Sequence, residues 1–246
     1  MLEVLSSSFL LLERVTIGSL QHFVPIGISI IVAFLLIRYS KRALTVQQQE
    51  IALHYLGIFV SLVVLSFHIY QIMFGNYDFR TDLPLYLCSL LALIIPIFTY
   101  YRKYWMYELL VFWIIAGTSQ GVITPDIVEG FPAFDYFRYW VVHLGLLTII
   151  FYATFVFNMR PRISSVFKSI LALQVYVIVM MLLNYLVNAN YSYLNHKPES
   201  ASVLDYLGEW PWYLIQAQLL LIPYFLLIYL FFQIGKKRKG GHFANN

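Results

Sequence analysis

The residue type best suited to covalent chemistry occurs once in the chain, as Cys88 in the stretch Asp82-Leu83-Pro84-Leu85-Tyr86-Leu87-Cys88-Ser89. A thiol becomes a strong nucleophile when a neighbouring base takes its proton, and imidazole does this near neutral pH. His143, set between Val142 and Leu144, lies well inside an apolar run and is the candidate base. Such a pair attacks an ester carbonyl, protonates the departing alkoxide and leaves a thioester acyl-enzyme. Water then gives hydrolysis, and a lipid hydroxyl gives acyl transfer. The tetrahedral intermediate needs donors aimed at its oxyanion. Gln71, Gln120 and Asn184 are candidate amides, and Asn188, four residues after Asn184 on the same helical face, is a candidate orienter for the histidine. The competing reading is inert: a lone buried cysteine also serves as a small packing residue.

Other chemistries find less support. One cysteine closes no intramolecular disulfide and builds no zinc site by itself. His22, His68 and His143 would make a three-histidine zinc site conceivable, yet no local H-x-x-x-H spacing accompanies them. A P-loop, a G-x-S-x-G elbow and a dinucleotide fingerprint are all missing from the sequence. Neither a metal nor a cofactor is expected.

The elements that hold these residues must be membrane helices. Of 246 residues, 61% are hydrophobic and 11% charged, against about 45 to 50% and about 25% in soluble domains. Apolar runs long enough to cross about 30 Å of hydrocarbon begin near Ser19, Ile51, Leu83, Trp105, Phe137, Val166 and Trp212. They end near Ile37, Met73, Tyr100, Ile123, Phe157, Val187 and Ile234. The sequence predicts an all-α bundle of seven transmembrane helices in a single domain, 1–246, with no linker and no internal repeat. The third span is short and holds Pro84 and Pro96; the fourth carries Glu108 and Gly117. Residues Met1 to Leu12 lack the basic flank and cleavage site of a secretory signal, so insertion is expected to rely on the first span.

Orientation follows from the basic residues. Twelve of the 16 Lys and Arg fall in the connections after the first, third and fifth spans and in the tail; Arg14, Arg80, Arg138 and Lys197 fall on the opposite side. The positive-inside rule then puts the N-terminus outside and the C-terminus in the cytoplasm. The net charge of +4 therefore reports topology and implies no nucleic-acid partner. Lys236-Lys237-Arg238-Lys239 reads as a cytoplasmic anchor.

With that orientation, Cys88 lies roughly 7 to 8 Å and His143 roughly 9 Å below the outer ends of their spans. Gln21, His22, His68, Gln71, Gln120, Asn184 and Gln216 fall in the same outer half, while the inner half has chiefly His54, Glu108 and Gln174. Polar residues in a bilayer are costly and usually face a bundle interior or a wet cavity, so a polar pocket toward the outer leaflet is expected. Individually, such residues can equally join helices by hydrogen bonds. His22, His68, Tyr86, Asp126, Lys197 and Gln216 are its candidate wall or substrate-binding residues. The stretch from Asn190 to Pro211 reads either as an interface anchor with a capping turn at Ser202 to Asp205, or as a cover over the pocket with Lys197 drawing a lipid phosphate.

Three further motifs accompany Asp82 to Cys88. They are Gly117-Thr118-Ser119-Gln120 leading to Thr124-Pro125-Asp126, Lys197-Pro198-Glu199-Ser200-Ala201-Ser202, and Leu204-Asp205-Tyr206-Leu207-Gly208-Glu209-Trp210-Pro211-Trp212-Tyr213. Together they resemble the YwaF-like bacterial membrane proteins, the bacterial branch of the transmembrane protein 164 family. The resemblance covers nearly the whole chain. What it implies is drawn from the animal branch, which is similar to a cysteine-dependent acyltransferase acting on ether-linked lysophospholipids. Its nucleophile then falls on Cys88 and the histidine of its fifth span on His143. Two departures stand out: Tyr86 replaces a frequent histidine, removing a second imidazole near the cysteine, and Leu20 rather than tryptophan precedes Gln21-His22. The resemblance implies a phospholipid acyltransferase or acyl hydrolase of lipid metabolism in the bacterial cytoplasmic membrane, with membrane lipids as substrate and acceptor. The reading of another class is a small-solute transporter or seven-helix ligand-binding protein, for which inverted repeats and midplane sites would be the usual signs. The third is a scaffold without an open cavity.

Overall fold

A computed structural model of the chain describes residues 13–198 and 202–234. The N-terminal residues 1–12, Glu199 to Ala201 of the outer-loop motif and the basic cluster at 236–239 lie outside them. Among the described residues all regular structure is helical, as backbone groups in lipid require when no sheet closes on itself. Seven principal helices follow one another: α1 Leu20–Ala43, α2 Val46–Phe74, α3 Leu87–Tyr101, α4 Tyr104–Ile123, α5 Phe134–Phe155, α6 Ile163–Val187 and α7 Trp212–Gln233. Six are long and apolar enough to cross a membrane.

α3 is the exception. Its 15 residues rise about 22 Å, less than the hydrocarbon thickness of about 30 Å. The sequence reading starts this span at Leu83, but Leu83 to Tyr86 form a tight turn in which the Leu85 N–H donates to Leu83 O at 2.7 Å. Helix therefore begins at Leu87, placing Cys88 in its first turn. α2 departs the other way and begins five residues before Ile51. The Thr45 hydroxyl accepts from Gln48 N–H at 3.3 Å, and the Gln48 side chain accepts from Thr45 N–H at 2.9 Å, a reciprocal cap that satisfies two exposed donors.

α5 is the most enclosed of the spans. It packs against α1, α2, α3 and α4, while α6 packs on α4 and α7 packs on α6 and on the middle of α4. Leu53, Val60, Ile95, Val111, Ile149 and Phe225 belong to one continuous apolar core. α2 lies close against α3 at Gly57, where a Cβ would collide with Thr99 Oγ1. Small residues of this kind let membrane helices touch backbone to side chain. Far from Cys88 along α4, buried Glu108 accepts from Ser165 Oγ at 2.6 Å and from Lys168 Nζ at 2.9 Å, which explains how a carboxylate is tolerated within a span. Gly57→Leu is expected to destabilise the bundle by about 1 to 3 kcal/mol through overpacking, read as a lower thermal transition in detergent.

Candidate active site

Cys88 and His143 both lie against the C-terminal half of α4. Residues Tyr104–Trp113 are regular α-helix, Ile114–Thr118 form a π turn, and Ser119–Ile123 resume the α-helix. Such turns insert a residue into the helical frame and occur frequently at functional sites. Thr118, fully buried at the end of the π turn, holds its Oγ1 3.9 Å from Cys88 Sγ. Gly121, three residues on and so one turn away on the same face, lies against the other partner: a Cβ there would come within 2.5 Å of His143 Nε2. The thiol of α3 and the imidazole of α5 thus abut successive turns of α4.

His143 is fixed in one tautomer. Its Nδ1 lies 2.7 Å from Tyr139 O, and because a carbonyl only accepts, the proton of a neutral ring sits on Nδ1. Nε2 keeps its lone pair and has no hydrogen-bond partner among the described residues. The ring stacks on Tyr139 at 4.1 Å between centroids. Tyr139 in turn donates its hydroxyl proton to Gly121 O at 2.8 Å and accepts from Asp126 N–H at 3.3 Å. One side chain therefore supports the imidazole and the end of α4.

Cys88 and His143 both line a cavity of about 1020 Å³, at the top of the range of about 300 to 1,000 Å³ for small-molecule sites. Of the other residues singled out in the sequence, Tyr86, Gln120 and Asp126 also line it. Asp126 pairs with Arg14 at 2.7 Å. Sequence reasoning missed Thr118, Tyr139 and Arg138. Threonine and tyrosine are too common in spans to stand out, and Arg138 counted only as an outer charge. Arg138 lines the cavity, donates Nε–H to Asp135 at 2.7 Å and lies over Phe67 at 4.5 Å.

The remaining candidates are placed elsewhere. His22 uses both ring nitrogens in the fold: Nδ1 accepts from Gly18 N–H at 3.0 Å, and Nε2–H donates to Val122 O at 2.8 Å. It ties α1 to the end of α4 and has no lone pair left for a metal. His68 packs edge-on against Phe67 and Tyr77 at 5.7 and 6.2 Å, away from the cavity wall, as is Gln71 at the end of α2. Asn188 is the left-handed C-cap of α6, φ 51°. Gln216 is exposed, whereas Gln218, two positions on, lines the cavity and accepts from Gln174 at 2.8 Å. Lys197 sits 3.8 Å from Glu209 and 5.9 Å from the Tyr213 ring centre, off the wall.

Asn184 has a structural role. Its Oδ1 accepts from Tyr191 N–H at 2.8 Å, and its Nδ2 donates to Tyr191 O at 2.9 Å. Tyr191 OH donates to Phe79 O at 2.6 Å and accepts from Leu83 N–H at 3.0 Å. Burial raises the Tyr191 phenol to about 12, so it keeps the proton that it donates. These bonds join the turn after α6 to the turn that introduces Cys88. Ser192 and Tyr193, next in the chain, line the cavity with left-handed φ of 59° and 56°, an unfavourable geometry for non-glycine residues. The hydroxyls of Ser192 and Tyr176 lie 2.6 Å apart. The capping turn at Ser202 is present, with the Ser202 N–H donating to Asp205 at 2.7 Å.

Two outcomes follow for the site's supports. Asn184→Ala leaves two buried backbone groups of Tyr191 unpaired and is expected to cost about 2 kcal/mol or more, measured as a shift of the thermal transition. Gly121→Ala drives a methyl against His143 Nε2 and is expected to slow Cys88 alkylation by iodoacetamide while the helical circular-dichroism signal persists.

The model of the TMEM164 family matches residues 17–229 of this chain. No curated protein and no solved structure matches it.

Proposed function

The chain belongs to the TMEM164 family and has six helices long and apolar enough to cross a membrane plus a shorter apolar one, and we propose that it is a lipid acyltransferase or acyl hydrolase using Cys88 as nucleophile and His143 as base. The observation that carries this reading is that Cys88 and His143, whose Nε2 is free of hydrogen bonds among the described residues, line one cavity and abut neighbouring turns of α4. Nε2 takes the thiol proton as Sγ bonds to the carbonyl carbon of a lipid ester. The tetrahedral intermediate collapses, the ester C–O bond breaks, and the imidazolium returns the proton to the leaving alkoxide. A lipid hydroxyl or water then gives its proton to Nε2 and attacks the thioester, releasing the thiol.

Gln120 is the one amide among the sequence candidates that lines this cavity, and it serves as the oxyanion donor. Tyr139 keeps the histidine in the base tautomer. In this reading the cavity end of the bundle faces the outer leaflet of a bacterial cytoplasmic membrane and the C-terminus is cytoplasmic, an orientation supported by the distribution of the basic residues.

Purified protein incubated with labelled phospholipid is expected to give an acyl adduct that hydroxylamine removes and that is missing in Cys88→Ala. His143→Ala should form it at least about 100-fold more slowly, the usual scale of general-base catalysis. Full lipid turnover by Cys88→Ala would overturn the mechanism, and solute uptake by proteoliposomes independent of Cys88 would replace it with transport.

A further inference from the structure

The cavity is sorted by polarity along the helix axes. At the end holding the start of α5, its wall includes Asp126, Arg138, Ser192 and Tyr193. Toward the opposite end it is built from Trp113, Leu173, Leu221, Phe225 and Leu227. α7 contributes to the wall from Tyr213 to Leu227, a stretch that rises about 21 Å. Gln218, Tyr213 and Tyr224 are the polar side chains on that stretch, and Gln218 already accepts from Gln174; a compact polar solute would leave most of the length facing apolar side chains, whereas an extended alkyl chain fills it.

The same wall is open on one flank. Leu220 and Leu227 line the cavity and are 51% and 63% exposed. α7 packs on α6 and on the π turn of α4, while α3 packs on α2, α4 and α5, so the cavity separates α3 from α7. An apolar ligand entering between these two helices from a surrounding bilayer would not need to cross water. Between the polar and apolar parts the wall is lowered by small side chains, Ala116 on α4 and Ala217 on α7. A larger side chain at either position projects into the passage.

We infer that the apolar part of the cavity is a channel for a single hydrocarbon tail, entered sideways between α3 and α7, and that Ala217 controls whether the tail can pass. The nature of the group attached to that tail rests on the acyl-transfer reading; the channel does not. With an ester near Cys88, the tail runs down α7 and the head remains beside Arg138 and Asp126. Ala217 is thus a residue that determines which chains are accepted.

The test uses full-length protein in nanodiscs with a phosphatidylcholine that carries a diazirine near the end of one acyl chain. After irradiation, cross-linked residues are mapped by peptide mass spectrometry. Adducts are expected on Trp113, Leu173 and positions 221–227 of α7, and Cys88→Ala should retain them. Ala217→Trp is expected to lower them about tenfold, the binding equivalent of one overpacked side chain, while a control, Ile31→Trp on the exposed face of α1, leaves them unchanged. If Ala217→Trp does not fold, Ala217→Leu and Ala116→Leu replace it, with a smaller loss expected. Labelling spread over outward positions such as Ile31 and Leu171, or undiminished channel labelling in the folded Ala217 variants, overturns the channel. Channel labelling in a protein that forms no thioester leaves the channel standing and removes the chemistry.

Discussion

Inside a helix a backbone carbonyl already accepts from the N–H four residues on, so a second donor at 2.7 Å is an added constraint rather than a by-product of helix formation. His143 Nδ1 supplies that donor to Tyr139 O. The bond sets the tautomer, the tautomer leaves Nε2 without a proton, and the stacked Tyr139 ring prevents the imidazole from turning away. Tyr139 then reaches Gly121 O and Asp126 N–H, so the orientation of the base and the path of the chain leaving α4 are determined together. The short α3 and the turn at Tyr191 bring the thiol to the preceding turn on the same face of α4.

Much of this fold is legible in the sequence because lipid leaves few alternatives. Long apolar runs must be helices, and the ends of α4, α6 and α7 fall within a few residues of their sequence positions. The errors have local causes. Thr45 and Gln48 start α2 early through a reciprocal cap, and the turn at Leu83 to Tyr86 delays α3, two effects that hydropathy does not register. The depths of Cys88 and His143 were less legible, because they depend on helix starts that hydropathy misplaces: from Leu87 the thiol lies about 1.5 Å into α3, and from Phe134 the imidazole lies about 13.5 Å into α5.

Side-chain direction was not legible. Gln71, Asn184, Asn188 and Gln216 share the depth of the cavity, but a helix presents only part of its circumference to any neighbour. Asn184 spends both ends of its amide on the Tyr191 backbone, and His22 spends one nitrogen on the turn before α1 and the other on α4. A polar residue within a bilayer must satisfy its hydrogen bonds, and a turn or helix end satisfies them as well as a substrate does. Sequence depth alone does not separate these two partners, whereas the geometry does.

The π turn at Ile114–Thr118 also bears on how this chain should be compared with others. One residue added to a helical frame advances everything after it by about 1.5 Å and rotates it by about 100°. Gln120 and Gly121 face the cavity in this phase. A chain lacking one residue between Ile114 and Thr118 would align with no more than a single gap, yet it would present different side chains at these heights. Residue-by-residue correspondence along α4 is therefore meaningful only between chains that share the insertion.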